Sequence, residues 1–292
     1  MPLDHAIAAR LARPITIRTI EAIAVALPLA RPMKMAGVEL RTADNLLVRI
    51  ESADGIVGWG EAASAPTMTG DTVPAMVAAV RDHIAPLLLG NDARGRAGLV
   101  RTMAHALHAN TGARSAVEIA LADLVGRTLG VTFADLYGGA VRDSVAPMWL
   151  VGNPTADEDI AEAKVKAREG YAFFKLKVGV KPVEQEIEAA IAMRKALGAD
   201  VILCADANCG FDMPCASKFL AGIGPADLAF LEQPLSTENL AGLARLARST
   251  SLPLGADEGI HSLADIATSA RAGAGGGSLK LIKLGGITAA IE

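Results

Sequence analysis

Phe173-Phe-Lys-Leu-Lys-Val-Gly179 reads as a short strand, apolar and aromatic, that closes on a glycine and yet carries two ammonium groups. Side chains at i and i+2 of a strand point to one face, so Lys175 and Lys177 enter the same space. An unpaired buried ammonium is costly. Two of them in one interior space require carboxylates, or a cation-binding centre, around them. Standing alone, a Lys-x-Lys pair is more simply a solvated surface feature. The rest of the chain decides between these readings.

Around this stretch, strand and helix alternate. Residues 145–151 read as a strand, and Thr155-Ala-Asp-Glu158 is a capping-box signature for a helix that ends at Gly170. Pro182 suits the first turn of the next helix, which stops near Gly198. Further strands are predicted at 201–205, 228–231, 252–256 and 279–283, with helices opening near Pro214, Glu238, Ser262 and Ile287. Such alternation predicts parallel β/α units.

Five of these strands end in an ionisable residue: Lys177, Asp206, Glu232, Asp257 and Lys283. The spacings are 29, 26, 25 and 26 residues, one β/α unit each. In a (β/α)8 barrel all strand ends converge on one face, where catalytic groups sit. Three carboxylates from adjacent strands would therefore meet, flanked on both sides by lysines. Taken singly, each carboxylate reads as well as a helix cap or a surface ion pair; the period joins them. Carboxylates gathered this closely repel one another unless a cation joins them. Oxygen-only donors favour Mg2+, with Mn2+ next. A lysine beside another cation is suited to act as a base, which is the part Lys175 could play toward Lys177. The chemistry implied is metal-assisted proton transfer next to a substrate carboxylate.

The first half has a different texture. Residues 16–29 are rich in β-branched side chains and predict a strand, and Arg31-Pro-Met-Lys-Met-Ala-Gly37 reads as a loop. Apolar runs at 45–51 and 56–61 meet at Ala53-Asp54-Gly55, a hairpin signal. A second loop spans 62–70. Three helices are predicted after it, at 71–89 with Asp71 as its cap, at 93–109 and at 113–128. The domains expected are an N-terminal extension at 1–15, an α+β domain at 16–140 and a β/α domain at 141–292.

Composition narrows the function classes. The 292 residues are 51% hydrophobic and 21% charged, with net charge −4, and no basic cluster interleaved with aromatics points to nucleic acid. No apolar run is long enough to span a membrane, and the first ten residues lack the order of a signal peptide; the expected location is the cytoplasm. Cys204, Cys209 and Cys215 match no zinc spacing and read as free thiols. The five histidines form no metalloprotease motif.

Several stretches resemble the enolase superfamily, in its mandelate racemase/muconate lactonizing enzyme family and muconate lactonizing subgroup. They are Phe174-Lys-Leu-Lys-Val-Gly179, Asp206-Ala-Asn208, Leu231-Glu-Gln-Pro234, Ala256-Asp-Glu258 and Lys283-Leu-Gly-Gly286, with Gly58-Trp-Gly-Glu61 and Leu136-Tyr-Gly-Gly139 in the first half. The resemblance implies an α+β capping domain whose loops cover the site, followed by a (β/α)8-type TIM barrel. It implies Mg2+ (or Mn2+) on Asp206, Glu232 and Asp257. It further implies Lys177 as base on one face, assisted by Lys175, Lys283 as acid/base on the other face, and Asn208 and Glu258 in support. Members of this family continue through two more β/α units, so the barrel is expected to be truncated after its sixth strand, with open edges that a second copy in a homo-oligomer could cover. The implied activity is a Mg2+-dependent cycloisomerase acting on muconate or a similar small carboxylate. Alternatives within the superfamily are an epimerase or racemase of dipeptides or N-acylamino acids and an o-succinylbenzoate synthase; outside it, a non-catalytic remnant.

Overall fold

A computed structural model describes residues 13–35 and 38–292. Residues 1–12 of the expected extension lie outside the described residues; Ile15 is buried and bonded through its backbone to Asp92 and Ala93. The described chain divides into two units, one running up to Val141 and including 280–292, the other spanning 142–279.

The first unit is built on an antiparallel sheet of β1 (Ile17–Met35), β2 (Val38–Ser52) and β3 (Val57–Ala63) in that order. Leu46, Val48 and Ile50 alternate into the core along β2, the period-two pattern of a half-buried strand. Gly55 takes a positive φ of 81° in the expected Asp-Gly turn between β2 and β3. The segment expected as a loop at 31–37 is instead strand as far as Met35. Its pairing with β2 slips between Pro28 and Met33 and then resumes. Pro28 and Pro32 have no N–H to give a ladder, so the sequence reads as broken where the strand only bulges.

The helices of this unit are α1 (Val73–Ala78), α2 (Ala85–Leu88), α3 (Arg96–Ala106) and α4 (Thr111–Leu129), with a π-helical stretch, Ala79–Ile84, joining the first two. Thr72 rather than Asp71 caps α1. Asp71 is buried and accepts the Gly112 N–H at 3.0 Å, at the start of α4. That long-range use of Asp71 could not be read from its local position. Helix α4 lies directly on β3: a Cβ at Gly60 would stand 1.9 Å from the Ala116 carbonyl oxygen, and one at Gly58 2.3 Å from that of Ala120. Backbone contact of this kind admits only glycine.

The second unit contains a parallel six-stranded sheet, with every strand beside its neighbour in sequence. In chain order its elements are β4 (Trp149–Val151), α5 (Ala156–Arg168), β5 (Phe173–Lys177), α6 (Val183–Leu197), β6 (Ile202–Asp206), α7 (Met213–Gly222), β7 (Leu231–Glu232), α8 (Leu240–Ser249), β8 (Leu254–Ala256), α9 (Leu263–Arg271) and β9 (Gly276–Gly277). The Thr155–Glu158 capping box is formed in both directions. Phe174, Leu203 and Leu231 pack into the apolar core, which leaves the alternate side chains of β5 for the other face.

One strand is corrected. The sixth was expected at 279–283, with Lys283 at its end. The ladder instead runs through Gly276–Gly277, flanked by bonds from Gly275 N–H to the Leu254 carbonyl and from Ser278 N–H to that of Ala256. Three successive glycines carry no hydrophobic pattern, so backbone pairing alone marks this strand. The apolar run that imitated it forms α10 (Leu281–Leu284), followed by α11 (Ile287–Ile291), and both group with the first unit. There, Glu118 of α4 accepts the Thr288 N–H at 2.9 Å and its hydroxyl at 2.5 Å. Gly286, at φ 137°, leaves no space for a Cβ beside that carboxylate. Among the described residues no helix is long and apolar enough to cross a membrane.

Candidate active site

The parallel register sets the site. Lys177 stands opposite Asp206, and Asp206 opposite Glu232, across β5, β6 and β7. Three ionisable residues thus share one level at the carboxyl ends of adjacent strands. Asp257 follows the next strand, β8, directly. The carboxyl-bearing residues are almost wholly withdrawn from water: Asp206 is 2% exposed, Glu232 3% and Asp257 2%. Buried charge at this density persists only when paired.

The two lysines of β5 pair with two of these carboxylates, Asp206 and Glu232, each in its own way. Lys175 donates to Glu232 Oε2 and lies 3.8 Å from Asp206 Oδ2. Lys177 donates to Asp206 Oδ2 at 2.7 Å and to Asn208 Oδ1. Burial by itself pushes the Lys175 ammonium toward a lower pKa. The hydrogen bond to Glu232, with the charges of Glu232 and Asp206, outweighs burial and holds the pKa above the ordinary lysine range.

Asn208 is held in turn. Its backbone N–H donates to Asp206 Oδ1 at 2.9 Å, and its amide donates to Glu258 Oε1 at 2.7 Å. Among the described residues the buried Glu258 Oε2 has no hydrogen-bond partner, whereas the His261 ring donates to the Glu258 carbonyl at 2.8 Å. The backbone here is strained. Asn208, Cys209 and Gln233 all have positive φ, at 42°, 65° and 37°, a region that side-chain-bearing residues rarely adopt. Such outliers cluster at functional sites because the surrounding structure over-determines them.

Two contributors have no local signal in the sequence. Gln233, just past Glu232, accepts the Asp257 N–H through Oε1 at 2.8 Å and donates through Nε2 to the Leu235 carbonyl at 2.8 Å, bracing one strand end against the next. Ser278, just past β9, donates its hydroxyl to Glu232 Oε1 at 2.6 Å. Only the fold brings Gln233 to Asp257 and Ser278 to Glu232.

Of the expected site residues, the second unit holds Lys175, Lys177, Asp206, Asn208, Glu232, Asp257 and Glu258. Lys283 is buried on α10, and 280–292 group with the first unit. Burial pushes the Cys204 thiol to about 12 and the Cys209 thiol to about 11, so neither offers a thiolate at neutral pH. Among the described residues no three Asp, Glu, His or Cys side chains converge closely enough to form a finished metal cage; Lys175 and Lys177 neutralise Asp206 and Glu232 here. The donor set nevertheless has the chemistry of a hard divalent cation site: three buried carboxylates, oxygen only, on successive strand ends.

Comparison with known proteins extends over both units. Residues 17–138 match the mandelate racemase / muconate lactonizing enzyme N-terminal domain, and residues 158–292 match the enolase C-terminal domain-like family. Muconate cycloisomerase 1-2 of Acinetobacter lwoffii is 34% identical over 285 residues, which are 96% of this chain and 74% of that protein. The crystal structure of muconate lactonizing enzyme from Pseudomonas fluorescens complexed with muconolactone superposes with a TM-score of 0.90 at 33% identity, covering 96% of this chain and 76% of that one. A substrate-liganded complex of the L-Ala-D/L-Glu epimerase from Bacillus subtilis gives a TM-score of 0.88 at 31% identity, covering 94% and 77%.

Proposed function

The chain belongs to the mandelate racemase/muconate lactonizing enzyme family of the enolase superfamily, and we propose that it moves a proton at the carbon α to a substrate carboxylate, as a cycloisomerase of muconate or a substituted muconate. The observation that carries this reading is the placement of Lys177. Its ammonium is held by Asp206 at 2.7 Å and by Asn208 at the mouth of a parallel sheet, where a substrate carbon could approach it.

For lactone formation, one carboxylate of the diene adds to the double bond conjugated with the other carboxylate. The C–O bond forms, the π pair moves toward the second carboxylate as an enolate, and the Lys177 ammonium delivers a proton to the α-carbon. Lys177 is left neutral and recovers a proton from solvent; in reverse it is the base. Asp206 and Asn208 fix the direction of its N–H bonds, and Glu258 fixes Asn208. Lys175, locked onto Glu232, adds positive charge that favours bringing in an anionic substrate. Asp206, Glu232 and Asp257 would hold a divalent cation, Mg2+ first, which when bound stabilises the negative charge gathering on the substrate carboxylate.

Lys280 and Lys283 both follow the last strand, Gly276–Gly277. Lys280 has extended backbone (φ −126°, ψ 129°) and comes two residues after Ser278, so the alternation of an extended chain would give it the side that Ser278 uses. We assign the supporting charge there to Lys280 rather than to helical Lys283. Self-association into a homo-oligomer belongs to the same proposal and is read by light scattering.

Resemblance to the Bacillus subtilis epimerase supports a second reading, epimerisation of a dipeptide, with the same side chains. Turnover in deuterated water with Mg2+ separates the two. Muconate should yield lactone carrying deuterium at the α-carbon, whereas deuterium entry with inversion in a dipeptide, and no lactone, would replace the cycloisomerase reading with the epimerase.

A further inference from the structure

Glu232 has its two carboxylate oxygens claimed from opposite directions. Oε2 accepts from Lys175 on β5, two strands to one side of β7; Oε1 accepts from the Ser278 hydroxyl at 2.6 Å, just past β9, two strands to the other. Reaching Ser278 takes the side chain across β8. The residue it crosses is Gly255, paired with Glu232 in the ladder. A Cβ built there would lie 3.5 Å from Glu232 Cα and 3.8 Å from its Cβ and Cγ. Alanine would therefore just touch the Glu232 stem, and a larger side chain on that face would occupy its path. Ser278 is itself anchored, its N–H bonded to the Ala256 carbonyl at 2.9 Å.

We propose that Ser278 is a positioning residue for Glu232: its hydroxyl fixes which Glu232 oxygen is turned toward the interior of the site, and so sets the affinity of the site for a divalent cation. The proposal rests on the reading that Asp206, Glu232 and Asp257 hold such a cation. A carboxylate free to rotate about its last bond presents each oxygen only part of the time. A short O–H···O− bond is among the stronger hydrogen bonds; it removes that freedom before any cation arrives. Partners of ligating carboxylates are known to matter at this level, their loss weakening metal binding about 10–100-fold.

The test uses the full chain, stripped with chelator, and Mn2+ as the probe, with free Mn2+ followed by electron paramagnetic resonance. Ser278→Ala should weaken Mn2+ binding by about 10–100-fold, and Ser278→Thr, which keeps the hydroxyl, should return it near the parent value. Ser278→Cys, close in size with only a weak donor, reads the same effect if the alanine variant does not fold. Metal-free melting temperatures are recorded beside the affinities. Parent-like Mn2+ affinity in Ser278→Ala, with or without a lower melting temperature, overturns the proposal, provided Glu232→Gln weakens binding. Unchanged affinity in Glu232→Gln would remove the cation reading itself, and the role of Ser278 with it.

Discussion

Replacing Lys175 by Met keeps the length of the unbranched stem and removes only the charge. The ammonium lies 3.8 Å from Asp206 Oδ2 and is hydrogen-bonded to Glu232, and its side chain is 11% exposed. At an effective dielectric constant of about 20, one charge pair at that distance interacts by roughly 4 kcal/mol, and the closer Glu232 adds to it. Desolvation of the ammonium offsets part of this sum, so the expected loss is that of breaking a buried pair, about 3–5 kcal/mol. At roughly 2–4 °C per kcal/mol, the metal-free protein should melt roughly 6–20 °C lower. Glu232→Gln in the same chain removes the carboxylate that Lys175→Met leaves uncompensated. The double variant should therefore recover part of the loss, with a coupling of about 1–3 kcal/mol. Calorimetric melts of the parent, both single variants and the double variant in chelator provide the cycle. A Lys175→Met protein melting within about 2 °C of the parent, under 1 kcal/mol on the same scale, would falsify the claim that this ammonium balances the acidic cluster. Strict additivity in the double variant would refute the pairing with Glu232.

Gly60→Ala should cost about 1–3 kcal/mol or more, because its Cβ would meet the Ala116 carbonyl oxygen at 1.9 Å and β3 would have to lift from α4; a urea melt reads it, and a parent-like midpoint argues against the contact. Lys177→Met should lower kcat on muconate by about 10²–10⁴-fold, Lys280→Met by a smaller factor and Lys283→Met least of the three. Equal and severe losses in Lys177→Met and Lys280→Met would favour the epimerase. The hydrogen bonds from Arg94 hold the Asp92 carboxyl below its ordinary range. A depressed carboxyl contributes stability above the unfolded-state pKa, about 3.9, and loses it as the pH falls through the lower folded value. The melting-temperature advantage of the parent over Asp92→Asn should thus be present at pH 7 and shrink below about pH 4; an advantage that grows toward acid would contradict this.

What the residues reveal locally, they reveal well. The Thr155 capping box closes as written, the Asp54-Gly55 turn joins β2 to β3, and the 25–29-residue spacing of Lys177, Asp206, Glu232 and Asp257 corresponds to successive parallel strands. These features depend on groups a few residues apart, or on a period repeated along the chain, so a linear reading contains them. Asp71 is the counterexample: well placed to cap the helix after it, it is taken instead by Gly112, distant in sequence.

The glycine run 275–277 and the apolar run 279–284 show where sequence by itself stops. A strand of glycines has no pattern to read, and its place is decided by carbonyls of β8 that accept its N–H groups. The neighbouring leucines and isoleucine satisfy strand and helix patterns equally until packing chooses. Sequence alone therefore determined the β/α rhythm and the acidic and basic character of the strand ends, because periodicity and charge belong to the chain itself. Tertiary structure decided where the last strand lies, and that Ser278 and Gln233 hold Glu232 and Asp257, because a hydrogen bond between remote residues exists only once the sheet has set its register.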